Sequence, residues 1–229
     1  DLIDAGQGNN FVEGGTGEDW IIGAEGDDTL DGGTGNDAVV GGDGSDLILL
    51  GDGDDSAVGD GGEDLIFAGE GADEVTAGNG SDFVDGGGGN DTLSGSLAKD
   101  TLDGGAGIDV LMAGSAADQF KGGADNDTFV INSKNDASFG LALTNTNAAN
   151  IDQIVDFMGN GTAAGDQIRF STVNNAYGTN NLKFAVSTTV NVTALTLNNQ
   201  ADFTFNNEAF NAASSNTVAQ VVDVTLTGS

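Results

Sequence analysis

The chain has 229 residues, with 37 acidic and 5 basic side chains and no His, Cys or Pro. That composition excludes His-dependent triads, Cys nucleophiles, disulfide frameworks and ordinary zinc sites. A formal charge of −32 repels nucleic acid phosphate and anionic lipid and attracts cations.

No apolar run approaches the ~20 residues of a membrane-spanning helix, and no signal peptide is visible. The charge is unevenly placed. Residues 1–130 hold 30 acids against Lys99 and Lys121, and 33 of the 39 glycines. Residues 131–229 hold 7 acids with Lys134, Arg169 and Lys183. The composition therefore predicts two regions, 1–130 and 131–229. A Gly- and Asp-rich segment is compatible with disorder on composition alone; the internal period argues otherwise.

Gly14-Gly15-Thr16-Gly17-Glu18-Asp19-Trp20-Ile21-Ile22 sets a nine-residue frame that runs without insertion from Ala5 to Val130, fourteen nonads in all. Position six reads Asn10, Asp19, Asp28, Asp37, Asp46, Asp55, Asp64, Asp73, Asp82, Asp91, Asp100, Asp109, Asp118 and Asp127. Position eight is apolar throughout, from Val12 and Ile21 to Phe120 and Phe129. Asp1-Leu2-Ile3-Asp4 fits positions six to nine of a further nonad, so the repeat is expected to extend into an upstream region of the same protein.

The first six positions favour turns and positive φ. The last three suit a short strand with position eight inward and positions seven and nine outward. Two strands and two turns close a coil of eighteen residues, and stacked coils give two facing parallel sheets. One buried apolar residue per nonad is a thin core against the entropy of so many glycines. Acids eighteen residues apart, such as Asp19, Asp37 and Asp55, fall about one strand spacing from each other, where like charges repel by roughly 1 kcal/mol even in water. A divalent cation between turns reverses that sign, and calcium, a hard ion taking 6–8 oxygens in flexible geometry, suits such a site better than magnesium.

These residues resemble the RTX (repeats-in-toxin) nonapeptide family, GGxGxDxUx. The resemblance implies an all-β fold: a right-handed parallel β-roll, followed here by a β-rich C-terminal cap. In the family, carbonyls of positions two and four and the position-six Asp of one turn meet carbonyls of positions one and three and the Asp of the turn eighteen residues on. Gly15, Gly17 and Asp19 would then meet Gly32, Thr34 and Asp37. Carried along the chain, the expected metal ligands are Asp19, Asp28, Asp37, Asp46, Asp55, Asp64, Asp73, Asp82, Asp91, Asp100, Asp109, Asp118 and Asp127. To these are added Gly15, Gly17, Gly26, Gly32, Gly33, Thr34, Gly35, Gly42, Gly44, Gly51, Gly53, Gly69, Gly71, Gly78, Gly80, Gly87, Gly89, Gly105 and Gly107. Two columns of seven turns imply several Ca²⁺ ions, up to about twelve. No catalytic residue is expected.

The tail contains Ile151-Asp152-Gln153-Ile154-Val155-Asp156-Phe157 and Gly165-Asp166-Gln167-Ile168-Arg169-Phe170. It resembles the D-x-I-x-D-F…G-D-x-I segment of serralysin-type secreted proteins, which covers the open end of the roll and accompanies a C-terminal signal for the type I secretion machinery. Strands are expected at Leu182–Val186, Val190–Leu197, Phe203–Phe205 and Val218–Leu226, and a short helix at Asn207–Ala213.

The resemblance implies an extracellular or cell-surface location. Two roles remain open: a structural or adhesive surface protein of S-layer type that self-assembles into a lattice, or the export and folding module of a protease, lipase or cytolysin whose active domain lies upstream. Outward positions carry apolar residues on neighbouring coils. Leu47, Leu49, Leu65, Phe67 and Phe83 share one sheet, and Trp20, Ile22, Val40 and Val58 the other. A contiguous patch of this kind marks an interface.

Overall fold

The computed structural model describes residues 1–131 and the later strands Leu141–Leu143, Asp152–Ile154, Gln167–Ser171, Leu182–Val186, Thr196–Asn198, Asp202–Thr204 and Gln220–Thr227. Strands begin every nine residues, from Phe11–Thr16 and Trp20–Glu25 to Gln119–Ala124. Each pairs in parallel with the strand eighteen residues on: Leu2 faces Trp20, Trp20 faces Ala38, and Phe83 faces Thr101. Alternate strands thus fall into two sheets, as the repeat requires.

The strands are six residues long rather than three. Each takes positions seven to nine and runs on through positions one to three of the next nonad, as in Leu47-Ile48-Leu49-Leu50-Gly51-Asp52. The physical reason is the register: positions two and three also find partners eighteen residues away, as Gly51 with Gly69 and Asp52 with Glu70. Alternation along six residues sends two of them inward. Position eight is buried in every nonad, and from Gly23 to Gly104 position one is buried beside it, so Leu50, Ala68 and Ala77 join the core. The core is accordingly thicker than one apolar residue per nonad. Phe120 and Phe129, packed edge to face at 6.2 Å, fill its C-terminal end.

Past the repeats both sheets gain strands. Asp152–Ile154 pairs in parallel with Gln119–Ala124, setting Ile154 opposite Phe120. Gln167–Ser171 pairs with Thr128–Ile131, setting Ile168 opposite Phe129. The D-x-I segments thus cover the last repeat strands by extending each sheet in the repeat's own register. Leu182–Val186 is a strand as expected, antiparallel to Gln220–Thr227, which in turn pairs with Asp202–Thr204. The expected helix at Asn207–Ala213 lies outside the described residues.

Among the outward residues, Trp20 and Leu65 are exposed, and Ile22, Val40, Leu47, Leu49, Val58, Phe67 and Phe83 are half-buried by neighbours on adjacent coils. Phe67 and Phe83 lie with ring centroids 6.0 Å apart.

The alternation gives a direct test on one dipeptide. Ile66 is fully buried and Leu65 is exposed. Ile66→Ala is expected to cost about 2–5 kcal/mol of folding stability, and Leu65→Ala under about 1 kcal/mol. Denaturant midpoints measured in calcium read both, and equal losses would contradict the register.

Candidate metal centre

The turn of each nonad is compressed into positions four to six. Positions two and four have positive φ in all fourteen nonads, for example 101° at Gly33 and 124° at Gly35. Glycine carries most of these because a Cβ is disfavoured there. The conformation turns the carbonyls of positions two and four along the stack. A Cβ built on Gly33 meets Gly15 O first, and one built on Gly35 meets Gly17 O first. From the opposite side, Thr34 O faces back and accepts the Gly17 N–H at 2.7 Å.

The position-six aspartates stand between these carbonyls and are almost wholly buried, 0–5% exposed from Asp19 to Asp127. They form two ladders. The N–H of Asp19 donates to Asp37 Oδ1 at 2.8 Å, that of Asp37 to Asp55 Oδ1 at 2.7 Å, and that of Asp55 to Asp73 Oδ1 at 2.8 Å. The other column repeats this from Asn10 N–H to Asp28 Oδ1 at 2.7 Å as far as Asp100 N–H to Asp118 Oδ1 at 2.9 Å. Each carboxylate therefore has one oxygen committed to the preceding turn.

The second oxygen is different. In Asp19, Asp28, Asp37, Asp46, Asp55, Asp64, Asp73, Asp82, Asp91, Asp100 and Asp109, Oδ2 is buried with no hydrogen-bond partner. It points beside the position-one Cα of its own nonad and toward the position-one carbonyl of the next turn. A Cβ built on Gly32 would fall 2.7 Å from both Asp37 Oδ2 and Leu50 O, and one on Gly86 would fall 2.6 Å from both Asp91 Oδ2 and Gly104 O. Most nonads keep Gly at position one, leaving the cradle open; Leu50, Ala68 and Ala77 put core side chains there instead.

The residues mapped from the family resemblance, Gly15, Gly17 and Asp19 with Gly32, Thr34 and Asp37, thus lie across one inter-turn gap, and the frame repeats that gap along both columns. Gly33, whose φ is also positive, sits at the gap through its backbone. Among the described residues no three acidic side chains gather into a metal-holding group by themselves. The oxygens at each gap come mostly from the backbone. A run of buried anionic oxygens without donors is costly, and a hard cation with oxygen ligands offsets it.

From Asp37 to Asp109 burial raises the carboxyl pKa values, the backbone N–H bond from the preceding turn opposes the rise, and neighbouring acidic groups add to it. Asp64 and Asp73 are pushed up to about 6, Asp91 to about 7 and Asp100 to about 8. Asp37, Asp46, Asp55, Asp82 and Asp109 are raised as well, burial again being the largest cause.

A third ladder runs on the rim. Position-five side chains accept the position-five N–H of the next turn: Asn9 Oδ1 from Asp27 at 3.1 Å, Asp27 Oδ1 from Ser45 at 2.9 Å, and Asn90 Oδ1 from Ile108 at 2.8 Å. Sequence reasoning missed it. The signal was there in the short polar residues Asn9, Asp27, Asn36, Ser45 and Asp54, whose type suits bonds to nearby backbone.

Fold and site together define a class: a stacked parallel β-roll whose turns collect carboxylate and carbonyl oxygens for hard cations. The model of the RTX calcium-binding nonapeptide repeat (4 copies) matches residues 4–39, 22–57, 31–66, 58–93 and 94–129, and the chain belongs to that family. No curated protein matches it.

The metal-free roll should weaken as pH rises. Asp64, Asp73, Asp91 and Asp100 have folded pKa values of about 6 to 8, above the unfolded value near 3.9. Between these limits the folded state binds more protons than the unfolded one, so the stability they contribute is complete below about pH 4 and is lost as pH climbs through 6 to 8. In EGTA the residual β signal in circular dichroism is expected to be larger at pH 5 than at pH 8. A β signal that grows over that window would contradict the buried, unpartnered carboxylates.

Proposed function

We propose that this chain is a non-catalytic, calcium-triggered folding module of a bacterial protein exported by type I secretion, and that it serves in a surface structural or adhesive assembly of S-layer type. The observation that carries the calcium part is the run of buried Oδ2 atoms without donors from Asp19 to Asp109. The position-six aspartates, with the carbonyls of positions one to four, would hold the ions. Bound there, calcium supplies positive charge and oxygen coordination, which removes the repulsion along each column and contributes folding free energy.

Two further features support the exported, extracellular part. Metal-built extracellular modules bind calcium at ~10⁻⁴–10⁻³ M, so a chain of this kind stays unfolded at cytosolic calcium and folds outside. The family's members, which the repeats resemble, use type I secretion. The surface role draws on the outward apolar residues Leu65, Phe67 and Phe83 on adjacent coils, a pattern that an assembled lattice covers.

Circular dichroism of the chain at about pH 8, in EGTA and then in millimolar calcium, tests the calcium reading. A disordered spectrum is expected to become a β spectrum with calcium and to stay disordered with equal magnesium; a β spectrum already complete in EGTA would refute it. For the surface role, Leu65→Asp with Phe67→Lys in the full-length protein should leave calcium-induced folding intact and abolish assembly. Unimpaired assembly would eliminate the lattice.

A further inference from the structure

Positions two and four both need positive φ, yet they do not ask the same of the residue. In the column that carries Asp28 to Asp118, position four has φ of 128° at Gly26, 141° at Gly44, 143° at Gly62 and 140° at Gly80, then 74° at Ala98 and 101° at Ala116 in the last turn. A φ near +140° is open to glycine alone, whereas an L residue at positive φ settles near +60°. Ala98 therefore cannot follow the backbone of the turns above it. Position two is more tolerant. Its glycines reach as low as 80° at Gly6 and 89° at Gly87, close to Ala24 at 84°, Asp60 at 71° and Ser96 at 75°.

The bonds between turns respond accordingly. Along the stack the position-four N–H donates to the position-three carbonyl eighteen residues on. The turn holding Ala24 keeps both of its bonds, Gly8 N–H to Glu25 O at 2.6 Å and Gly26 N–H to Asp43 O at 2.8 Å. The turn holding Asp60 keeps both, Gly44 N–H to Gly61 O at 2.7 Å and Gly62 N–H to Asn79 O at 2.8 Å. Turn 95–100 makes neither: among the described residues, Gly80 N–H to Leu97 O and Ala98 N–H to Ser115 O are not formed. The facing column passes the same level intact, with Gly89 N–H bound to Ala106 O at 2.7 Å. The carboxylate ladder itself continues, Asp82 N–H to Asp100 Oδ1 at 3.0 Å and Asp100 N–H to Asp118 Oδ1 at 2.9 Å. The fault is thus confined to the carbonyl side of the gaps.

We propose that Ala98 interrupts the calcium column from Asp28 to Asp118, so that the two gaps flanking turn 95–100 bind calcium more weakly than the others, load last and empty first. This rests on the reading that calcium lies between turns. It divides the roll into a column whose bonds between turns run unbroken from Gly17 to Ala124, with Asp125 (φ 75°) at position four only in its last turn, and an interrupted one, and makes loading a two-stage event.

Calcium titration of the whole chain, following bound ions by calorimetry and folding by circular dichroism, tests it. The wild type is expected to show a main phase and a weaker late phase. Ala98→Gly should merge the late phase into the main one, tightening it by about tenfold, the equivalent of about 1.4 kcal/mol of backbone strain relieved. Ser96→Gly relieves positive-φ strain in the same turn at position two and should leave the late phase in place. A single phase unaltered by Ala98→Gly, or an equal effect of Ser96→Gly, overturns the inference while the calcium reading stands. A chain folded in EGTA that binds no calcium overturns both.

Discussion

The hydrogen bond from the backbone N–H of one position-six residue to the carboxylate of the next, eighteen residues on, is the constraint on which the rest of this structure depends. It holds successive turns at one strand spacing, and it forces the carboxylate out of water to do so. Burying an ionised carboxylate with one oxygen unpaired is unfavourable. The chain accepts that cost at turn after turn, and the glycines, the carbonyl directions and the charge of the repeat region all follow from it. Position one is mostly glycine because the second oxygen lies close to where a Cβ would stand, with Leu50, Ala68 and Ala77 the buried exceptions. Positions two and four take positive φ because their carbonyls must face the same gap.

Much of this was legible in the sequence because the period never slips between Ala5 and Val130. Asp at position six and an apolar residue at position eight name a buried acid column and a core column without reference to coordinates. The length of the strands was not legible. Gly-Gly at positions one and two reads as turn by propensity, and pairing with the equivalent positions eighteen residues away keeps it in the sheet, a case of tertiary context overriding local preference. The inward place of position one was hidden for the same reason, since Gly there carries no hydrophobic signal and the few apolar residues in that column, such as Leu50, Ala68 and Ala77, are scattered. In the tail, Asp152-Gln153-Ile154 and Asp166-Gln167-Ile168 reproduce positions six to eight without the glycines that announce the frame. Their strands nevertheless fall into the register of Phe120 and Phe129.

The outer surfaces obey weaker rules than the interior. Positions seven and nine tolerate Trp20, Leu65, Asp103 and Lys121 alike, because a residue there meets only its neighbours one coil away. Asp103 and Lys121 use that adjacency for an ion pair at 2.6 Å, while Phe67 and Phe83 use it for a ring contact. The roll thus separates a periodic interior, which carries the fold, from two faces free to specialise along its length.

The carboxylate ladder also has a polarity. Each aspartate bonds the amide of the turn before it, so a turn's own amide waits for the turn after it. The two ends of the stack are therefore chemically different, though a turn added at either end completes one such bond. A nucleus extended toward the N-terminus adds turns whose amides find a carboxylate already in place; one extended toward the C-terminus adds turns whose amides are still open. Every such step joins residues eighteen apart, a short separation for a parallel sheet, and low sequence separation favours rapid zipping. The roll is in this sense a one-dimensional polymer within a single chain, with two distinct ends set by a side chain two bonds long.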